Sequence, residues 1–131
     1  MSVLDASVMV LGLTDAESLA PGVKELLRGR VQVPANFPAE VTSGLRRLAI
    51  RGVITPGTVA DARRRLHIAL LRLHPFDLYA ERIWELRQNL TVYDAWYVAI
   101  AERLGQPLVT VDSGILKAPG LRCELIDARL S

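Results

Sequence analysis

Two aspartates each stand directly behind a short apolar run: Asp5 behind Val3-Leu4, and Asp112 behind Pro107-Leu-Val-Thr-Val111. Short apolar runs without polar alternation read as strands covered on both faces, the form parallel sheets take. In open α/β sheets ligands bind beyond the carboxyl ends of the strands, so both acids stand where a site would form. Two further acids open helical patterns: Glu40, in the first turn after Pro38, and Asp94, three residues after Thr91. Carboxylates that converge repel one another, and a divalent cation offsets that repulsion while all of them stay ionised. Hard oxygen donors select Mg2+ or Mn2+ over softer metals. Each acid also has a local explanation. Asp5 and Asp112 fit the caps of helices that follow their strands. Asp94 holds the acid position of a capping box, and a negative charge at Glu40 favours the helix dipole.

Placing these acids together requires alternating strands and helices. A strand is expected from Val3 to near Asp5, then a helix through Ser7 to Leu11 that ends at Gly12. Thr14-Asp-Ala-Glu17 has the capping-box form and predicts a helix to about Leu27, with Gly29 as its stop. Val31-Gln-Val33 reads as a strand closed by Pro34, and Pro38 suits the first turn of a helix to about Arg51, with Gly52 after it. Thr55-Pro56 opens a helix predicted to reach about Leu73, ended by Pro75, and another spans roughly Leu78 to Arg87. Thr91 is the expected N-cap of a helix from Val92 to Leu104, stopped by Gly105. Its middle, Ala-Trp-Tyr-Val-Ala-Ile-Ala, is apolar on nearly every side, which predicts burial. Pro107 to Val111 is a further strand and Leu121 to Ile126 a last one. The alternation predicts an α/β domain around a mostly parallel sheet.

The segments Val3-Leu-Asp-Ala-Ser-Val8, Pro38-Ala-Glu-Val-Thr-Ser-Gly-Leu-Arg-Arg-Leu48, Asn89-Leu-Thr-Val-Tyr-Asp-Ala-Trp-Tyr-Val-Ala-Ile-Ala-Glu102 and Leu108-Val-Thr-Val-Asp112 together carry a family likeness. In this order and spacing the chain resembles the PIN-domain ribonucleases and, within them, the VapC toxins of toxin–antitoxin pairs. The resemblance implies a three-layer α/β/α sandwich over residues 1–131, a single PIN-like domain. It implies that Asp5, Glu40, Asp94 and Asp112 hold Mg2+ or Mn2+, with the hydroxyls of Ser7 and Thr110 supporting the carboxylates. By the same resemblance Asn89 and Arg87, just before the Asp94 helix, face the phosphate; a C-terminal helix charge explains Arg87 equally well. The implied reaction is hydrolysis of a phosphodiester in structured RNA such as transfer or ribosomal RNA, leaving a 5′-phosphate and a 3′-hydroxyl. A VapB-like antitoxin and a homodimer are the partners so implied. The alternative is a catalytically silent PIN-like domain that only binds protein or RNA; retention of all four acids argues against it.

Composition bounds these expectations. At 131 residues the chain fits one domain and buries about two thirds of its unfolded surface without needing a disulfide or structural metal. Half of the residues are apolar, which excludes disorder. The longest apolar run, Ala95 to Ala101, has seven residues, well short of the roughly 18 that a membrane span needs. Met1-Ser-Val-Leu-Asp5 lacks a basic leader region, and the lone Cys123 excludes an internal disulfide, so a cytoplasmic protein is expected. The net charge of +2 is too small to announce a nucleic-acid binder by itself. Fourteen of the sixteen basic residues are arginine, and Arg63, Arg64 and Arg65 form either a phosphate-tracking or partner surface or a solvated helix face. His67 and His74 lie between arginines with nothing pairing them as acid and base, and are expected at the surface or at an interface. Ser7 stands where a haloacid-dehalogenase-like phosphatase needs a second aspartate, and no glycine-rich phosphate loop occurs.

Overall fold

The computed structural model describes residues 1–130. Strands β1 (Val3–Leu4), β2 (Val31–Pro34), β3 (Leu71–His74), β4 (Leu108–Thr110) and β5 (Leu125–Asp127) form one five-stranded sheet in the order β3-β2-β1-β4-β5. Every pairing is parallel, from Val31 opposite Leu71 at one edge to Thr110 opposite Asp127 at the other. The chain builds outward from β1 to β3, then crosses back to lay β4 against the free side of β1. The order therefore reverses between β1 and β4, and the crevice beyond their carboxyl ends is where such sheets bind ligands. Asp5 follows β1 directly, and Asp112 lies two residues beyond β4.

Among the described residues seven α-helices cover the sheet: α1 (Ala6–Thr14), α2 (Pro21–Leu26), α3 (Phe37–Ile50), α4 (Pro56–Ile68), α5 (Ala80–Glu85), α6 (Val92–Leu104) and α7 (Ser113–Lys117). Helices α1, α3 and α4 pack on one another, while α6 lies across β1, β2 and β4 with α5 against it. This segregation gives the expected α/β/α layers. Helix α6 runs between the ends predicted for it. The Thr91 hydroxyl accepts the Asp94 N–H at 3.2 Å, and Gly105 closes the helix at φ 63°, a left-handed backbone that glycine adopts without a Cβ penalty. All residues from Ala95 to Ala101 are buried, and Tyr97 is the largest side chain wholly removed from solvent. Arg82 forks onto Glu102 at 2.7 and 3.1 Å and reaches the Gly120 carbonyl at 2.9 Å, fastening α5 and the segment before β5 to α6.

The layers depart from the sequence pattern at several points. Helix α1 runs past Gly12 to Thr14, whose hydroxyl donates to the Val10 carbonyl at 2.7 Å and so turns back into its own helix instead of capping the next. The expected capping box dissolves into a 3-10 turn at Ala16–Ser18, and Pro21 opens the shorter α2. The helix expected to reach Leu73 stops at Ile68. Ala69 turns extended (φ −63°, ψ 145°) and the chain enters β3. Leu70, Leu71, Arg72 and Leu73 therefore belong to the sheet edge and its approach, not to a helix. The segment before α6 shortens likewise, to a 3-10 turn at Asp77–Tyr79 and α5. His74, expected at the surface or at an interface, is buried within the chain. Its Nε2 lies 2.6 Å from Gln32 Oε1 and its Nδ1 2.7 Å from the Tyr79 hydroxyl, and burial holds its ring below the ordinary histidine range. His67 is exposed as expected.

Helix α3 approaches α1 closely at Gly44, where an added Cβ would meet Val10 Cγ2 at 2.8 Å. A Gly44→Val variant is expected to push the two helices apart and lower stability by about 1–3 kcal/mol, read by chemical denaturation. An unchanged unfolding midpoint would show that the contact gives way freely.

Candidate active site

At the carboxyl ends of β1 and β4 a cavity of about 490 Å3 is lined by Asp5, Glu40, Asp94 and Asp112, with Ser7 beside them. Asp5 is the most enclosed of the acids. Its Oδ1 accepts the Ser7 N–H at 3.3 Å and caps α1, while its Oδ2 accepts the Thr110 hydroxyl at 2.7 Å. Thr110 is itself wholly buried, and its Oγ1 accepts the Asp112 N–H at 2.9 Å. One hydroxyl thus ties the chain behind β4 to the acid behind β1. Asp112 Oδ1 accepts the N–H groups of Gly114 at 2.7 Å and Ile115 at 3.2 Å, capping α7. The capping expectation for Asp5 and Asp112 is therefore met, and both still line the cavity. The Asp112 cap uses one oxygen and leaves the other to face a ligand, while each Asp5 oxygen keeps a second lone pair beside the bond it accepts.

Glu40 and Asp94 come from α3 and α6. The Tyr97 hydroxyl donates to Glu40 Oε1 at 2.9 Å and accepts the Ala6 N–H at 3.2 Å, linking α3, α6 and the start of α1. Of the expected capping box at Asp94, the half that uses its backbone N–H is formed, and the Thr91 hydroxyl also bears on its carboxylate, favouring the charged form. Asp94 lines the cavity as well.

Burial and repulsion raise Asp5, Glu40 and Asp94 together. Desolvation pushes Asp94 up to about 6, with the charges of Asp112 and Asp5 adding to it. Burial also raises Asp5, against the hydrogen bonds from Thr110 and Ser7. Glu40 is raised by burial, against the Tyr97 hydroxyl, with Asp5 and Asp94 pushing further and Arg47 opposing. Such a set is costly to keep ionised with nothing between the charges.

The donor set fits a hard divalent cation. Carboxylate oxygens supply it, and the Ser7 Oγ is buried at the cavity wall without a hydrogen bond of regular geometry. The acids do not close on a common point: among the described residues no three acids, histidines or cysteines form a ready-made ligand group.

The other sequence candidates lie elsewhere. Arg87 stacks 4.6 Å over Trp84 and donates to the Trp84 carbonyl at 2.8 Å, and Asn89 reaches the Pro119 carbonyl at 3.4 Å. Neither lines the cavity. Arg64 and Arg65 both pair with Asp61 on their own helix α4. Arg63 and Arg64 line a separate, larger groove of about 580 Å3 between α3 and α4, together with His67, Thr42 and Leu71. Among the described residues that groove has no acid in its wall, so its size does not make it the site of metal chemistry. Sequence reasoning missed three cavity residues, Arg47, Arg51 and Arg129. A signal existed for two of them: Glu40, Gly44, Arg47 and Arg51 repeat at intervals of three and four, one face of a helix.

Comparison with known proteins agrees with this architecture. Residues 2–121 match the PIN domain family. The chain is 38% identical over 131 residues to ribonuclease VapC9 of Mycobacterium tuberculosis, covering 95% of this chain and 96% of that protein. It is 35% identical over 125 residues to ribonuclease VapC1 of the same species, covering 94% of each. Its fold is similar to a chain in the crystal structure of VapBC2 from Rickettsia felis bound to a DNA fragment from their promoter. That match has a TM-score of 0.61 at 17% identity and covers 96% of this chain and 98% of that one. At that identity the likeness is one of fold.

Proposed function

This chain belongs to the PIN-domain family, among its VapC proteins, and from that membership we propose that it is a metal-dependent endoribonuclease, the toxin of a toxin–antitoxin pair. The observation that carries the proposal is the meeting of Asp5, Glu40, Asp94 and Asp112 in one cavity at the reversal of strand order. Asp5, Asp94 and Glu40 are the proposed ligands of Mg2+ or Mn2+, with Asp112 completing the set. When bound, the cation lowers the pKa of the attacking water and neutralises charge developing on the phosphate. The chain's own part is positional. Thr110 fixes Asp5, Tyr97 fixes Glu40, and the α7 start fixes Asp112. In-line attack leaves a 5′-phosphate and a 3′-hydroxyl. The relatives' names supply ribonuclease activity, and the R. felis complex supplies the model for a VapB-like partner. A homodimer, a structured RNA such as transfer or ribosomal RNA as substrate, and a role for Arg63 to Arg65 in holding RNA or a partner belong to the same proposal.

The test is cleavage of total cellular RNA by purified, antitoxin-free protein with Mg2+, with Mn2+ and with chelator. Discrete metal-dependent fragments are expected. A folded protein that cuts nothing in any metal overturns the proposal.

The raised acids also predict a pH dependence. Asp94 binds its proton more tightly in the folded chain than in the unfolded one, about 6 against an ordinary 3.8. The stability from that proton is complete below the unfolded value and is lost as pH rises through about 6. His74, held below its ordinary range, works in the opposite direction as pH falls. Comparison of wild type with Asp94→Asn in chelator isolates the carboxylate. The variant's melting temperature is expected to gain on wild type between pH 5 and pH 8, by a few degrees. A constant difference across that range would mean that Asp94 is not raised.

A further inference from the structure

The cavity that holds the acids also holds three guanidinium groups: Arg47 from α3, Arg51 at its C-cap, and Arg129, placed by the antiparallel bridge between Leu19 and Arg129. Elsewhere on the chain arginines take the carboxylates within reach, as Arg28 does with Glu25, Arg64 with Asp61 and Arg82 with Glu102. In this cavity, with four carboxylates in the same wall, none of the three arginines comes within 4.0 Å of an acid oxygen among the described residues. Arg47 instead rests on the Ser43 hydroxyl at 3.1 Å, on its own helix. Arg47 and Arg51 stand one turn apart on the α3 face that carries Glu40 and Gly44, so the helix that sets an acid in the cavity also sets both cations above it.

An RNA chain brings a phosphate to the acids and further phosphates on either side. A cation bound by the acids serves the first and does nothing for its neighbours, which the carboxylates repel. Guanidinium forks suit such phosphates, since their planar donors match phosphate oxygens in pairs. We propose that Arg47, Arg51 and Arg129 are positioning residues that grip the phosphates flanking the one to be cut, drawing the RNA backbone across the acid-lined cavity. The inference rests on the endoribonuclease proposal and adds to it the path of the substrate. Arg46 makes the control. It neighbours Arg47 on the same helix and is exposed, but does not line the cavity.

The experiment measures binding of a fluorescein-labelled single-stranded oligoribonucleotide by anisotropy, in chelator so that nothing is cut, over a range of salt. Wild type is compared with Arg46→Gln, Arg47→Gln, Arg51→Gln, Arg129→Gln and the Arg47→Gln/Arg51→Gln double variant. Each cavity variant is expected to flatten the slope of log K against log salt by roughly 0.7, and the double variant by about twice that. Arg46→Gln is expected to leave the slope in place. In cleavage assays the cavity variants raise KM more than they lower kcat, and Mn2+ binding stays as in wild type. Wild-type slopes in the cavity variants, or an equal change in Arg46→Gln, overturn the inference while leaving the ribonuclease proposal standing. A wild-type protein that neither binds nor cuts RNA overturns both.

Discussion

Asp94→Asn is expected to lower RNA cleavage by more than about 100-fold, beyond the loss that follows removal of a residue merely supporting a metal ligand. The same substitution is expected to leave the fold intact and the metal-free protein as stable as wild type or more so. The two outcomes share one cause. The Asp94 carboxylate is half-buried and is raised to about 6 by desolvation and by the charges of Asp112 and Asp5, against the Thr91 hydroxyl. Asparagine keeps the shape and removes the charge, so repulsion is relieved when no cation is present, and a ligand is lost when one is. The helix start does not suffer, because its cap runs from the Asp94 backbone N–H to the Thr91 hydroxyl and not through the carboxylate. Cleavage assays and thermal melts on repurified protein check both halves. A variant with wild-type cleavage would return Asp94 to the local role of an acid in a first helical turn. A variant that unfolds would make it a structural residue.

Tyr97→Phe is expected to cost about 1–3 kcal/mol of stability, the penalty for stranding a buried donor, and to weaken catalysis with it. The ring stays and fills the same space, so the change isolates the hydroxyl. That oxygen accepts the Ala6 N–H at 3.2 Å and donates to Glu40 at 2.9 Å. Ala6 is the first residue of α1, where backbone N–H groups have no partner inside the helix and buried ones must find one outside it. Phenylalanine leaves that N–H unpaired and removes the one hydrogen bond that opposes the burial of Glu40. Glu40 is then raised further and loses its fixed orientation toward the cavity. Urea denaturation should show the midpoint falling, and Mn2+ affinity should fall with it. A variant equal to wild type in both would mean that α1 and Glu40 find other partners, and that Tyr97 serves only to pack.

The acids were legible because their roles impose local pattern. Asp5 and Asp112 follow apolar strands, and Thr91 and Gly105 bracket α6 so clearly that its ends fall where the sequence places them. The reversal between β1 and β4, which turns two separate aspartates into one site, depends on pairings that no local pattern contains. Strand β3 was hidden for a specific reason. Leu66, Leu70 and Leu73 continue the helical interval of α4, and the break falls at Ala69 without a glycine or proline to mark it. Pairing of Leu71–His74 with β2 overrides that interval, and the same pairing draws His74 inward onto Gln32. Thr14 misled in the opposite sense, since a hydroxyl that can cap a helix can also bond back into one. Arg129 comes to the cavity only because the end of the chain bridges to Leu19, a contact between distant parts of the sequence.

Titration of metal-free protein with Mn2+ near neutral pH, followed by calorimetry for wild type and Asp94→Asn side by side, tests the central claim most directly. The claim is that Asp5, Glu40, Asp94 and Asp112 form a cation site at the end of the sheet. Saturable binding by wild type, accompanied by a rise in melting temperature and largely lost in Asp94→Asn, is the predicted result. Absence of saturable binding by the folded wild type, or equal binding by the variant, would contradict it.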